Sequence, residues 1–193
     1  LIIDEACSGV EDVSSEAVFD LIDKNIYDGI KKEDLSSSIL ISIRPLIEKD
    51  PNYSYVVARL LLSSLYEEGL TFLNFKDNSP TIKEMSKSYP EYFKAYITKA
   101  VELELVDKEL LNYDMDLIAK NINPSKDLAF TYLGLQTLYD RYFIHEQGKR
   151  FELPQAFFMR VAMGLAINEE NREERTIEFY NLISSFDFMC STP

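Results

Sequence analysis

Tryptophan is absent and histidine occurs once, at position 145. A site built from several histidines is therefore excluded, and any imidazole chemistry would rest on His145 alone. Glycine is scarce, with six residues. None of them forms a G-x-G-x-x-G turn, a P-loop or a nucleophile elbow, so no self-contained nucleotide or hydrolase site is encoded. The two cysteines, Cys7 and Cys190, are too few for a disulfide framework. They read as free thiols in a reducing compartment, which points to the cytoplasm. Cations are outnumbered: 20 Lys and Arg face 33 Asp and Glu, for a net charge of −13. Nucleic acid and other polyanionic surfaces need clustered Lys and Arg, so neither is an expected partner. No apolar run approaches the ~18 residues of a membrane span, and no signal peptide is visible.

What is present suits a folded helical protein. Hydrophobic residues make up 46% of the 193-residue chain, enough for a sizeable core. Tyr and Phe, 12 of each, supply the large core side chains. Leu, Ile, Glu and Lys dominate the remainder and favour helix. The chain does not open with Met and ends at Ser-Thr-Pro, as a fragment or a single domain of a longer protein would.

Apolar spacing divides the chain into helices. Leu1 to Val10 reads as the tail of an amphipathic helix. Ser14 is placed to cap a helix carrying Val18, Phe19, Leu21, Ile22 and Ile26. Gly29 offers a left-handed turn before a third helix from Lys32, which Pro45 should kink. Asp50-Pro51 breaks the chain, and a fourth helix follows from Asn52 to Glu68. Residues 69–90 look irregular, and Pro90 is placed to open a helix reaching Leu105. Asp107 and Asp114 each can cap a short helix, and 121–126 reads as a loop.

Residues 127–142 form the next predicted helix, with Phe130, Leu133 and Leu138 inward. A β-hairpin is expected over about 143–153, around Glu146-Gln147-Gly148-Lys149. Helix 155–167 is apolar on most sides, with Arg160 its only charge; a buried, paired Arg160 is the expectation. Asn171 can cap the last helix, whose stripe is Phe179, Leu182, Ile183 and Phe186. The fold class is therefore mainly α, a helical bundle over 1–68 followed by a larger helical domain over 69–193 with one β-hairpin.

Candidate chemistry is thin. Glu169, Glu170, Glu173 and Glu174 flank a helix start and suit its positive end better than a metal. No Glu-x-x-His pair exists, so no di-iron carboxylate site, and no metal site at all, is expected. Cys190 has no cationic neighbour in sequence to activate it. Tyr27, Tyr53, Tyr55 and Tyr132 read as packing residues rather than redox groups. No catalytic residue is assigned to the chain.

Three ordered blocks resemble the ribonucleotide reductase large subunit. Tyr27-Asp28-Gly29-Ile30-Lys31 followed by Asn52 to Leu60 is similar to the end of the family's ATP-cone and the helix after it. Asp127 to Tyr132 followed by Tyr139 to Phe143 is similar to its N-terminal helical domain. Glu152 to Pro193 is similar to the segment that enters its catalytic barrel.

The resemblance implies an oxidoreductase making deoxyribonucleotides from ribonucleotides by thiyl-radical chemistry. The cysteines that do this would lie in the barrel, beyond Pro193, so the chain alone should be inactive. By the same resemblance, Thr192 and its neighbour Ser191 would bind substrate near its phosphates. Lys32 and Ser36 would be the remnants of an allosteric site for ATP and dATP, in a truncated or degenerate cone. Glu67 would put a negative charge where a triphosphate needs a positive one.

No cofactor is expected on this chain; the radical cofactor would sit on a small partner subunit. The implied partners are the ribonucleotide, the remainder of the large subunit, that small subunit and a second large subunit. A non-catalytic helical interaction module, one piece of a split reductase, and the same region of an adenosylcobalamin-dependent reductase are the alternatives.

Overall fold

The computed structural model describes residues 2–76 and 80–189, with the side chains of residues 32 and 33 left out of the description. Among the described residues lie ten α-helices, two 3-10 turns and one two-stranded hairpin. They form two compact units: residues 1–65 with 128–141, and residues 66–127 with 142–193.

The first unit holds α1 (Ile2–Cys7), α2 (Ser15–Asn25), α3 (Lys32–Ile43), α4 (Leu46–Lys49), the first part of α5 (Tyr53–Phe72) and α8 (Tyr132–Arg141). Ser14 caps α2 as expected, its side chain accepting from the Ala17 N–H, a bond that contributes about 1 kcal/mol. Gly29 takes φ of 93°, where a side chain would be strained. Pro45 does more than kink its helix: it separates α3 from α4, because it has no N–H to continue the ladder.

Arg59 ties α1 to α5, donating to the carbonyls of Ala6 at 2.9 Å and Ser8 at 2.7 Å. These are carbonyls that a helix end leaves without partners. The Tyr53 hydroxyl accepts from the Ser14 N–H at 3.0 Å, and Ser54 Oγ accepts from the Tyr132 N–H at 3.0 Å. Val18, Ile22, Ile43, Val56, Val57, Leu61 and Leu135 fill the core. Leu133 is 74% exposed, against the inward placement read from sequence, and Phe19 on α2 is 56% exposed. Helix α8 starts at Tyr132 rather than Asp127, so its phase differs and Leu135 faces in instead.

The second unit holds the end of α5, α6 (Ile82–Glu102), a 3-10 turn at Lys108–Asn112, α7 (Met115–Lys120), the hairpin β1 (His145–Glu146) and β2 (Lys149–Arg150), α9 (Pro154–Ala166) and α10 (Arg172–Ser184). A second 3-10 turn, Pro124–Ala129, occupies the stretch read as a loop and as the start of a helix. Helix α5 continues to Phe72 because Gly69 lets the hairpin strand pass close: a Cβ there would sit 3.4 Å from Leu153 and 3.6 Å from the Phe151 backbone.

Pro90 does not open α6. Thr81 and Glu84 form a full capping box nine residues earlier, and Pro90 lies inside the helix. Asp107 and Asp114 cap as expected. The hairpin pairs His145 with Arg150 and Glu146 with Lys149. Gln147 at φ 49° and Gly148 at φ 82° form its turn, the positive-φ pair that suits the twist of a two-residue hairpin.

Helix α6 is the centre of this unit. Met85, Tyr89, Tyr92, Phe93, Tyr96, Ile97 and Ala100 recur on one face and are all buried. Phe72 stacks on Phe151 with ring centroids 4.5 Å apart, and Tyr96 lies 5.8 Å from the same ring. No helix among the described residues is long and apolar enough to cross a membrane.

Candidate functional site

The second unit buries more than apolar surface. Polar groups of α6 reach the segment between the hairpin and α9. The Tyr92 hydroxyl donates to the Phe151 carbonyl at 2.7 Å and accepts from the Leu153 N–H at 2.8 Å. The Tyr89 hydroxyl accepts from the Gln155 N–H at 3.1 Å. That segment runs extended into Pro154 at the first turn of α9, so its backbone groups need side-chain partners. Tyrosines supply them. Burial raises the Tyr89, Tyr92 and Tyr96 hydroxyls well above their ordinary range, so they stay neutral.

Glu152 is fully buried and collects four donors. Tyr96 O–H and Arg160 Nε each meet Oε1 at 2.5 Å. Arg160 Nη2 at 3.2 Å and the Ile144 N–H at 2.8 Å meet Oε2. Burial works against the Arg160 charge, but the adjacent Glu152 carboxylate more than offsets it and raises the pKa. The pair therefore locks the hairpin to α9 as a charge-assisted fork. Arg160 is paired, as expected, but it is half-buried rather than buried, with 21% of its side chain exposed beside the fully buried Glu152.

A second hub lies at Asp127, which is 2% exposed. Tyr66 O–H donates to Oδ2 at 2.8 Å, and Gln155 Nε2 donates to Oδ1 at 2.8 Å. Gln155 Oε1 in turn accepts from the Tyr180 hydroxyl at 2.8 Å, which itself accepts from the Asn123 N–H at 2.8 Å. One network thus joins α5, the 124–129 turn, α9 and α10. Burial pushes the Asp127 carboxyl up to about 7, although the bonds from Gln155 and Tyr66 hold it down in part. Burial likewise takes Tyr180 to about 12, partly offset by the Asn123 N–H.

Helix α10 is anchored by this network rather than by its apolar stripe. Thr176, Tyr180 and Ser184, spaced by four, are its buried residues, while Leu182 is 45% exposed. Sequence periodicity counts apolar residues, so a buried face of Thr, Tyr and Ser escaped it. Lys126 Nζ donates to Ser184 Oγ at 2.6 Å. Beyond the helix, Phe186 takes φ of 64° and packs edge-on against Phe158, with centroids 5.9 Å apart.

The residues singled out in the sequence fall as follows. Ser191, Thr192 and Cys190 lie outside the described residues. Lys32 is the first residue of α3, its side chain outside the description, and Ser36 is half-buried on the same helix. Glu67 is half-buried on α5, among the residues of the second unit. His145 is exposed in β1. Cys7 is half-buried and free; burial, with Asp4, raises its pKa, so its thiolate is disfavoured. Among the described residues no three His, Cys, Asp or Glu side chains gather as metal ligands.

An open groove of about 420 Å³ runs beside Phe72, Asn74, Lys94 and Lys99. Its lysines are already paired, Lys94 with Glu91 and Asp116 and Lys99 with Glu102. It therefore offers an anion little. The residues that sequence reasoning missed are Asp127, Glu152, Gln155 and Tyr180. The only signal for them was polar residues sitting where a helix or strand face should be apolar.

The chain is similar to known proteins along nearly its whole length. The sequence model of the family described as "Ribonucleotide reductase, all-alpha domain" matches residues 128–193. The ribonucleoside-diphosphate reductase subunit alpha of Chlamydia muridarum is 40% identical over 97% of this chain and 18% of that protein. The subunit alpha of Helicobacter pylori is 32% identical over 86% of the chain and 20% of that protein. The ribonucleoside-diphosphate reductase 1 subunit alpha of Escherichia coli is 26% identical over all of the chain and 24% of that protein. The chain thus spans about a fifth of the length of these relatives. It belongs to the ribonucleotide reductase large-subunit family, as the N-terminal region that carries the all-alpha domain.

Proposed function

We propose that the chain serves a ribonucleoside-diphosphate reductase as the helical platform that presents a substrate-binding segment to a catalytic barrel. The observation that carries this is the 40% identity over 97% of the chain to a ribonucleoside-diphosphate reductase subunit alpha. Radical reduction of the ribose belongs, in this reading, to cysteines elsewhere in the subunit. The radical itself comes from a cofactor on a small partner subunit, and the large subunit works as a homodimer in the cytoplasm.

On this reading Thr192 donates its hydroxyl to a phosphate oxygen of the ribonucleotide, with Ser191 beside it. Neutral hydroxyls and backbone N–H groups can cradle a phosphate without a basic patch, which suits a chain of net charge −13. The buried networks at Glu152 and Asp127 hold α9 and α10 rigid, and rigid elements are what a binding segment needs behind it.

The remnant cone is read as a weak site. Lys32 and Ser36 lie four residues apart on α3, one turn of the helix, so both could approach one phosphate. Glu67 argues against a full triphosphate pocket. Titration calorimetry of ATP and dATP into this chain tests that part: absence of heat is the expected result, and micromolar binding would overturn it. The substrate role is tested in the complete large subunit with its radical-generating partner. Thr192→Ala is expected to raise KM for the ribonucleoside diphosphate; a parental KM would sink the assignment.

A further inference from the structure

Helix α9 has the composition of a helix enclosed on every side. Arg160 is its only charged residue, already paired with Glu152, and Gln155 is its only other polar one. A helix apolar all round belongs inside a protein. Most of α9 is inside: Ala156, Met159, Ala162, Met163 and Ala166 are buried. One strip is not. Phe157 and Val161 are half-buried, Gly164 is exposed and Leu165 is 59% exposed. Val161, Gly164 and Leu165 follow Phe157 at four, seven and eight residues, the spacing of a single helix face. Phe157 meets Phe158 with ring centroids 5.2 Å apart, and Phe158 meets Phe186, itself 38% exposed, so aromatic surface continues past one end of the strip.

Gly164 is an independent observation. It lies within the helix, and an added Cβ would have nothing within 4 Å. The fold of this chain therefore has no need of glycine there, and glycine inside a helix is less stable than alanine. On an open helix face, the absence of a side chain serves an element that arrives from outside, because it lets a second backbone come close.

The character of the strip selects its occupant. Permanent interfaces are more apolar than transient ones and poor in charge at their core, and the one charge on this helix is already taken. A second copy of a chain with net charge −13 brings repulsion with it. The chain spans 18% of the Chlamydia muridarum subunit, so about four-fifths of such a subunit lies outside it and is permanently at hand.

We propose that the face of α9 formed by Phe157, Val161, Gly164 and Leu165 is the docking surface for the remainder of the large subunit, an apolar element of which packs over Gly164. The inference rests on the proposed role of the chain as a platform for that remainder.

The test uses the complete large subunit, with reductase activity measured on the same preparation. Leu165→Cys puts a thiol on the face, and its modification by N-ethylmaleimide is followed by mass spectrometry of the peptide that carries it. Modification of the folded subunit is expected to be slower than in urea by about a hundredfold or more. A rate within about tenfold of the unfolded one overturns the proposal. Adding Gly164→Gln is expected to speed modification about tenfold, because the new side chain fills the space of the docked element. An unchanged rate overturns the part given to Gly164.

Protection must persist on dilution to the monomeric subunit and without the radical-generating partner. Loss on dilution gives the face to a second copy, and protection that requires the small subunit gives it to that partner; either overturns the proposal. If Leu165→Cys does not fold, hydroxyl-radical footprinting of the parental subunit decides: oxidation of Phe157 and Leu165 as fast as in a short peptide overturns it. A subunit that reduces ribonucleoside diphosphates while position 165 reacts freely loses the docking surface and keeps the functional reading. Absence of reduction in the folded subunit with its small partner removes that reading, and this inference with it.

Discussion

The Tyr66 hydroxyl donates to the Asp127 carboxylate at 2.8 Å in a place closed to solvent. Gln155 provides the carboxylate's second hydrogen bond, and among the described residues no cation is bonded to it. Two neutral donors do not compensate for removing a full charge from water, so burial lifts the carboxyl to about 7 from an ordinary 3.8.

This relation sets a pH dependence. In the unfolded chain Asp127 ionises near its ordinary value, while in the fold it keeps its proton to about pH 7. Between those values the folded state binds more protons, so stability falls as pH rises. The contribution is fully present below about pH 4 and is lost as pH climbs through 7, to the extent of about 2–4 kcal/mol. Asp127→Asn keeps the shape and cannot ionise. Urea unfolding at pH 5 and pH 8 should show the parent weakened at pH 8 and the variant much less so. Equal pH slopes for the two proteins would refute the assignment.

Glu152 is the opposite case, a buried carboxylate that stays paired. Arg160→Ala leaves it with the hydroxyl of Tyr96 and the N–H of Ile144 but no counter-charge. The expected cost is about 3–5 kcal/mol, because the remaining charge is stranded in a closed site. Adding Glu152→Gln to the same protein should recover a large part of that loss. A melt of Arg160→Ala matching the parent would remove the idea that the pair is structural.

Much of this was legible in the sequence for physical reasons. Ser14, Asp107 and Asp114 cap helices because short oxygen-bearing side chains reach a backbone N–H two or three residues on. The hairpin turn at Gln147-Gly148 and the pairing of Arg160 also follow from local chemistry. Pro90 misled because proline suits a first turn, yet a long buried helix tolerates one missing bond once Thr81 and Glu84 have started it. Asp127 and Tyr180 could not be read at all. Their partners lie 25 to 61 residues away, and nothing local marks a carboxyl as buried. The candidate substrate residues were legible only by resemblance, since Ser191 and Thr192 carry no local signature of a phosphate site.

Two glycines should respond in opposite directions. Gly164 sits inside α9 with open space around any added Cβ, so Gly164→Ala should stabilise the isolated chain by about 0.5–1 kcal/mol through helix propensity. Gly148 has φ of 82° in the hairpin turn, and Gly148→Ala should cost about 1–2 kcal/mol although nothing would clash. Urea midpoints of both variants, moving apart from the parent, are the expected result. A shift of the same sign in both would show that backbone conformation does not control these positions.

Tyr180 separates packing from hydrogen bonding at the anchor of α10. Tyr180→Phe keeps the buried ring and the face it presents to Lys126. It removes the acceptor of the part-buried Asn123 N–H and the donor to the buried Gln155 Oε1. The expected loss is about 1–3 kcal/mol. Hydrogen exchange gives the sharper readout, because the Asn123 amide should lose protection while amides in the middle of α6 change only with global stability. Should Asn123 exchange as slowly in the variant as in the parent, the hydroxyl is not what holds the 124–129 turn to α10. Lys126 and Ser184 would then have to carry that junction.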